Sequence, residues 1–278
     1  MTYQTPTLVQ GPAQGYAGGA GSGSFNINLS QTPTNGNVLI LCYIANATTN
    51  PASVSSISQT GVSWTSAFTF GYTEDCEIWI GIVSSGAGTT ITVNYSGGSG
   101  GSYGEIADVC EWSGVVTGSY LDQTAANNGG HSATLDTGTT STTTQTVELW
   151  IGVVGGESNS SISGDLSSPT NGFTLLDGVP VNVATSVYMV EGYLYEIVST
   201  TGKADSGATS PSSIYWSGCI ATFKAASSAT QPVTFVQHWL WAVKQILHRI
   251  PRFRGHIDMT KNLKRTGKIW QILRSLNL

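Results

Sequence analysis

The sequence predicts an all-β fold: an antiparallel, jelly-roll-like β-sandwich of about ten strands, followed by a C-terminal amphipathic α-helical tail. Short segments rich in Val, Ile, Thr, Tyr and Trp alternate with turn signals such as Asn-Gly, Gly-Gly and Pro. No helical periodicity occurs before residue 232. The balance of charge changes near residue 231, which places the sandwich at 1–230 and the tail at 231–278.

The predicted strands follow one another along the first 230 residues. In a strand, alternate side chains lie on the same face. Ile78, Ile80 and Ile82 therefore share a face that we expect to pack on the core. The ten predicted segments are Phe25–Leu29, Val38–Ala45, Val62–Phe70, Glu77–Val83, Thr90–Tyr95, Gly104–Trp112, Val147–Val154, Phe173–Leu176, Ser186–Val198 and Ile214–Phe223.

Three pairs of segments indicate an internal repeat with a spacing of roughly 110 residues. The segments occur in the same order in both halves of the chain, which predicts one sandwich assembled from two similar halves. The pairs are Val38–Ala45 with Val147–Val154, Glu77–Gly86 with Tyr193–Gly202, and Ala107–Trp112 with Gly218–Phe223.

Charge is unevenly distributed along the chain. The 11 basic and 16 acidic residues give a net charge of −5. Nine basic residues and one acid lie in 231–278, a net +8, whereas two basic residues and fifteen acids lie in 1–230, a net −13. This asymmetry predicts two parts with different roles, in which the acidic part is an expected electrostatic counterpart of the basic tail.

The tail has the strongest helical periodicity in the chain. Pro232 marks a break and Thr234 suits an N-cap, so we predict a helix over 235–250 and a second helix over about 259–276. Assembly or anchoring contacts are predicted at Phe235, Val236, Trp239, Leu240, Val243, Ile246, Leu247, Ile250 and Trp270. Basic contacts are predicted at Lys244, Arg249, Arg252, Arg254, Lys264 and Arg265.

An apolar helical stripe must be buried against a partner. We expect this partner to be another copy of the chain or another structural subunit. A membrane surface is an alternative, because Trp and Lys or Arg favour the membrane interface. Nucleic acid is a weaker alternative, because genome-binding arms are usually polar and this tail is half apolar.

The residues that could support catalysis do not form a convincing motif. Glu105 and Glu111 share a strand face without Asp108, and solvation of strand faces accounts for these acids better than a catalytic carboxylate pair. Ser99 and Ser102 match G-x-S-x-G only inside a glycine-rich loop. The chain has no P-loop and no G-x-G-x-x-G followed by a helix. We therefore predict no enzymatic activity, no cofactor and no metal site.

Other polar and aromatic residues leave alternatives open. Four aspartates are predicted to lie in loops, where a calcium site built from carboxylate and carbonyl oxygens is an alternative: Asp122, Asp136, Asp165 and Asp177. Buried free thiols are favoured for Cys42, Cys76, Cys110 and Cys219, with one disulfide as the alternative. Core packing is favoured over a sugar-binding platform for Trp64, Trp79, Trp112, Trp150 and Trp216. Asn127–His131 is predicted to be a loop tip.

Several runs resemble a β-sandwich module that recurs in phage and virus structural proteins and in prokaryotic surface proteins. These runs are GNVLILCYIA, EIWIGIVSSGAGTTITVNYSG, ADVCEWSGV and WSGCIATFKA. The resemblance covers about residues 5–226, excludes the tail, and implies a structural role without a family active site.

We therefore expect a non-enzymatic structural subunit of a virion or cell-surface assembly, with the sandwich displayed or tiled and the tail anchoring it. The alternatives are a glycan- or receptor-binding adhesin with contacts in Gly/Asn-rich loops, and attachment to a membrane or nucleic acid through the tail. Only 10% of the residues are charged, a composition common in extracellular and virion-surface β proteins, and the N-terminus has no signal-peptide pattern. This combination fits a virus or phage structural protein, so we expect a location at a virion or extracellular surface.

Overall fold

A computed structural model describes residues 2–19, 21–46, 50–71, 74–99, 104–158 and 162–228. The chain divides into two units, 1–228 and 229–278, and all described residues belong to the first. The helices predicted over 235–250 and 259–276 lie outside the described residues. No helix in the described part is long and apolar enough to cross a membrane.

The described residues form fourteen strands, which confirms the all-β class. The strands are β1 (Thr7–Gly18), β2 (Gly23–Asn28), β3 (Val38–Asn46), β4 (Asn50–Ser58), β5 (Val62–Gly71), β6 (Glu74–Val83), β7 (Thr90–Ser99), β8 (Gly104–Ser113), β9 (Leu121–Asp136), β10 (Glu148–Ser158), β11 (Thr174–Leu175), β12 (Val181–Ala184), β13 (Val187–Val198) and β14 (Gly207–Lys224). Four of them, β1, β4, β9 and β12, have no counterpart among the predicted segments. β1, β4 and β9 are polar or glycine-rich, and β12 has only four residues, too few for a clear pattern.

The strands form three antiparallel sheets in a sandwich-like arrangement. The central sheet has the order β1-β8-β3-β6-β5, and a second sheet has the order β11-β13-β10-β14-β9, with β12 paired to β13. A three-stranded sheet has the order β2-β7-β4. All strand pairs are antiparallel.

Three hydrophobic layers hold the sheets together. The inner layer lies between the central and six-stranded sheets and includes Ile40, Ile78 and Trp112. The second layer lies between the central and three-stranded sheets. The third covers the outer face of the six-stranded sheet and includes Trp150 and Trp216. Trp112, Trp150 and Trp216 are buried and Trp64 and Trp79 are half-buried, which confirms core packing for the tryptophans.

The two larger sheets repeat one strand order. In the central sheet β3 pairs with β6 and β8, and in the six-stranded sheet β10 pairs with β13 and β14. Val38 stands opposite Ile82 and Trp112 in one sheet, and Leu149 stands opposite Ile197 and Phe223 in the other. These strands are the ones paired by the internal repeat, so each half of the chain supplies one sheet of the inner sandwich.

The central sheet is covered on both faces, which corrects the expected solvation of Glu105, Asp108 and Glu111. All nine residues of β3 are buried, as are nine of the ten residues of β8. Glu105 and Glu111 lie on the side of the second layer, and Asp108 lies on the side of the inner layer, because adjacent residues of a strand point to opposite faces. The three-stranded sheet covers the face that the sequence pattern assigned to solvent.

Candidate functional site

The tail residues predicted for assembly cannot be placed, because Phe235, Trp270 and every assembly or basic residue predicted between them lie outside the described residues. The described sandwich offers two other groups of chemical interest. One is a set of carboxyl groups inside the sheets, and the other is a pair of strand edges with no neighbouring strand.

Nine of the fifteen acids in 1–230 are buried. Within the described residues the only lysines are Lys203 and Lys224, so few cations are available to these carboxyl groups. The buried acids are Glu74, Asp75, Glu77, Glu105, Asp108, Glu111, Glu148, Glu157 and Glu191. Because a buried carboxylate without a cation is costly, most of these groups are expected to be protonated near neutral pH.

Glu105 is the clearest case of a neutral carboxyl group. Its side chain is buried, and neither carboxyl oxygen has a hydrogen-bond partner in the described structure. Burial raises the pKa of Glu105 to about 8. Ala45 is the register partner of both Glu105 and Asp75, so the two acids flank it across the central sheet.

Other buried acids interact with one another. Burial, together with a hydrogen bond to Glu77, raises the pKa of Asp75 to about 9. Burial and repulsion from Glu74 raise the pKa of Glu157 to about 7. Burial, and then the neighbouring charges of Asp108 and Asp177, raise the pKa of Glu191 well above its usual value. These buried acids therefore favour the neutral, protonated form.

Glu111 lies on the same strand face as Glu105 but has a different environment. It accepts hydrogen bonds from Gln10 Nε2 at 2.6 Å, from Thr34 N at 2.8 Å and from Asn37 Nδ2 at 2.6 Å. Three donors at these distances satisfy a carboxylate. Glu111 thereby joins the loop before β3 to the central sheet and to β1.

Of the four aspartates predicted to lie in loops, Asp122 and Asp136 belong to β9, and those described below stabilise turns and neighbouring side chains. Asp136 accepts a hydrogen bond from Gly138 N at 2.6 Å, and Asp177 accepts one from Gly178 N at 2.6 Å. Asp122 forms an ion pair with Lys224 at 3.3 Å. Burial alone would raise the pKa of Asp122, but hydrogen bonds from Thr144 and other neighbours lower it. Among the described residues, no group of three or more His, Cys, Asp or Glu side chains could hold a metal ion.

Asn127–His131 is part of β9, which corrects the predicted loop tip. His131 stands opposite Tyr215 of β14, with ring centroids 4.9 Å apart, and Tyr215 is exposed. Next to this pair, Trp216 is buried and donates from Nε1 to Ser132 Oγ at 3.0 Å. The sequence signal that could have indicated a strand here is Trp216 of β14, because its large ring is buried in part against Gly129 of β9.

The ring of Trp216 lies against Gly129, and this contact gives a stability prediction. A Cβ atom at Gly129 would lie 2.1 Å from Cζ2 of Trp216, so Gly129→Ala forces the ring or the strand to move. We expect Gly129→Ala to lower the free energy of unfolding by about 1–3 kcal/mol in urea denaturation. Gly118→Ala is the matched control, since no atom lies within 4 Å of its added Cβ. Equal effects of the two substitutions would contradict this packing.

No protein family, curated protein or solved structure matches the chain. The most informative feature is the contrast between the edges of the two larger sheets.

The strands β5 and β9, called here the open edges, have no strand on their outer side within the described residues. β5 contains no charged residue, and the acids of β9 are Asp122 and Asp136, near and at its ends. β5 contacts β9 and β14 across the inner layer, so the open edges lie on the same side of the sandwich. Unpaired backbone groups along a long, uncharged edge are a template for pairing with another chain.

The opposite edges of the same two sheets are protected. β1 contains Pro12 and two register irregularities, and both features hinder pairing with a further strand. β11 has only two residues. Natural sheets use these devices to prevent edge-to-edge association. β5 and β9 have 10 and 16 residues and contain no proline, although their pairings with β6 and β14 include one and three register irregularities. Their length and the lack of proline distinguish the open edges as a candidate assembly surface.

Proposed function

We propose that the protein is a non-enzymatic structural subunit of a virion or cell-surface assembly. In this proposal the sandwich tiles with neighbouring copies through the open edges, and the tail at 231–278 anchors it to further subunits. The resemblance to structural β-sandwich modules implies the finer fold class of this proposal, a jelly-roll-like sandwich. The observation that carries it is the presence of two long, nearly uncharged edges on one side of the molecule.

The distribution of charge supports the same proposal. With nine acids buried and the side chain of Asp122 only 4% exposed, the described surface retains five acids and two lysines. The exposed residues of β5 include Ser63, Thr65 and Thr69, which are polar but uncharged. Two such edges can approach without the repulsion that like charges would impose across a strand pair. Hydrogen bonds between edge strands would then supply the contact, as in β-augmentation.

Lysine at the open edge gives the direct test of this proposal. We expect Thr65→Lys combined with Thr69→Lys to reduce self-association of the full chain at least tenfold, because edge lysines oppose strand pairing. Sedimentation velocity over a range of protein concentrations measures the change. Thr209→Lys is the control, since Thr209 is exposed on β14, which has neighbours on both sides.

Two results would count against tiling through the edges. One is a full-length protein that stays monomeric at high concentration, and the other is an assembly that tolerates both edge lysines. Circular dichroism of each variant shows whether the sandwich is intact, so that loss of assembly is separated from unfolding.

A glycan- or receptor-binding adhesin is the second candidate. The exposed Tyr215 ring, supported by His131, offers an aromatic face of the kind on which sugar rings pack. Binding of the full chain to an array of glycans, abolished by Tyr215→Ala, would favour this candidate. Attachment to a membrane or nucleic acid rests on the tail alone and stays a prediction.

A further inference from the structure

Two cysteines from different sheets meet inside the inner layer. Cys76 lies on β6 of the central sheet and Cys219 lies on β14 of the six-stranded sheet. Both are free thiols with no exposed surface, and their Sγ atoms are 2.6 Å apart. Non-bonded heavy atoms pack at about 3.5–4 Å, so the two sulfurs are within reach of a covalent bond.

The strand pairings fix this contact. Cys76 stands opposite Ile44 of β3, and Cys219 stands opposite Val153 of β10. The Sγ atom of Cys76 also lies 4.0 Å from the carbonyl oxygen of Val153, across the inner layer. Each cysteine is therefore held by a central strand of its own sheet, and joining the sulfurs requires no change of register.

The other two cysteines are poorly placed for a bond. Cys110 pairs in register with Ile40, two residues from Cys42 on β3. Diagonal residues on neighbouring strands are about 7–8 Å apart, which exceeds the separation that a disulfide spans without backbone movement. Cys42 and Cys110 thus serve as internal controls with the same burial.

The internal repeat gives the Cys76–Cys219 contact a counterpart. The repeat aligns Ile82 of β6 with Ile197 of β13, and Trp112 of β8 with Phe223 of β14. Counting back along the strands, Cys76 of β6 corresponds to Glu191 of β13. In the same way, Cys219 of β14 corresponds to Asp108 of β8. Asp108 and Glu191 also interact across the inner layer, and burial and their mutual repulsion contribute to a raised pKa of Glu191. The two halves thus meet at two related positions, one with two thiols and one with two carboxyl groups.

We propose that Cys76 and Cys219 are oxidised to a disulfide that joins the two sheets, while Cys42 and Cys110 remain thiols. The oxidant is a disulfide, either of a small molecule such as oxidised glutathione or of a thiol oxidoreductase. One cysteine thiolate attacks it to give a mixed disulfide and one reduced thiol. The second cysteine then displaces the remaining thiol, so that the oxidant gains two electrons and two protons in all.

The burial of both sulfurs determines when this reaction occurs. Burial raises the pKa of the Cys76 thiol, which leaves little thiolate in the folded dithiol protein. The bond therefore forms while the inner layer is still open during folding. After closure the same burial protects it from reductants in solution. The cysteines are 143 residues apart, so the bond closes a long loop and links the two halves of the chain.

Counting thiols after refolding tests the proposal. The reduced, unfolded full chain is refolded in a buffer of reduced and oxidised glutathione, unfolded again without reductant and alkylated with N-ethylmaleimide. We expect two adducts per chain by intact mass, located at Cys42 and Cys110 by peptide mapping, and four adducts after reduction. We also expect a peptide that contains Cys76 to be linked to one that contains Cys219.

Two double variants provide matched controls. Cys42→Ser with Cys110→Ser should give no adducts before reduction and two after it, whereas Cys76→Ser with Cys219→Ser should give two in both cases. The urea midpoint of the wild type should be higher after oxidative than after reductive refolding. Four adducts on the oxidatively refolded wild type, or a bond between any other pair, would overturn the proposal even if a variant fails to fold.

Discussion

Replacing Glu105 with glutamine is expected to flatten the pH dependence of stability. Burial raises the pKa of Glu105 to about 8 in the folded protein, whereas an unfolded glutamate titrates near its usual value of 4.5. Between these values the folded state binds more protons than the unfolded state. The free energy of unfolding therefore falls as pH rises, by about 1.4 kcal/mol per pH unit for this one group.

Below the unfolded pKa, Glu105 is neutral in both states and its contribution is fully present. Above about pH 8 the folded protein must ionise a buried group, and that contribution is lost. Asp75, with a pKa raised to about 9 by burial and Glu77, and Glu148 and Glu157, with pKa values raised to about 7 chiefly by burial, act in the same direction. The wild-type protein should thus be most stable near pH 4–5.

Urea denaturation between pH 5 and pH 8 measures the effect. The slope of stability against pH should be shallower in Glu105→Gln than in the wild type by about 1.4 kcal/mol per pH unit. Asp165→Asn is the control, because Asp165 is exposed. The slope is informative even though a buried amide carries its own cost at every pH. Parallel slopes for wild type and Glu105→Gln would mean that Glu105 is not a buried neutral acid.

Replacing Glu111 with alanine is expected to have the second large effect. The substitution removes the acceptor for three donors, from Gln10, Thr34 and Asn37, and leaves them inside the fold. Hydrogen bonds to charged groups contribute about 1.5–3 kcal/mol each, and the losses within one network are not additive. We expect the free energy of unfolding to fall by about 3–5 kcal/mol.

The matched comparison is Glu111→Gln, measured beside Glu105→Gln at pH 8.5. Glutamine at 111 turns an amide toward donors and should destabilise the fold, whereas glutamine at 105 should stabilise it by removing a buried charge. The two positions lie on one face of β8. If the two substitutions change the free energy of unfolding in opposite directions, the difference is due to the hydrogen-bond partners of Glu111. If both substitutions stabilise the protein, the hydrogen bonds of Glu111 contribute little to stability.

The sequence predicted the strands that form the core much better than those at the edges. Ile78 and Ile80 are buried as predicted, because apolar residues at alternate positions of a strand lie on one face, and that face packs on the core. β9 was missed, because its Asn-Asn-Gly-Gly segment carries the composition of a turn and is held in the sheet by β14. The composition of a short segment cannot predict its pairing with a strand that lies almost 90 residues further along the chain.

The acids of β8 were misplaced for a related reason. Their strand has polar residues on both faces, and a polar residue in a two-layer sandwich normally marks the solvent side. A third sheet covers that side here. The pairing of Cys76 with Cys219 was also beyond the sequence, since it depends on which strands face each other. The internal repeat, by contrast, was visible in the segments that became β3, β6, β8 and their counterparts.

The measurement that tests the central claim most directly is amide hydrogen exchange of β5 and β9 in the full chain. It compares concentrated, assembled protein with protein diluted until it is monomeric. Tiling through the open edges predicts that amides in Val62–Gly71 and Leu121–Asp136 gain protection on assembly, while those of β3, already paired on both sides, do not change. Assembly without any gain of protection in β5 or β9 would contradict the assignment of these edges as the contacts between subunits.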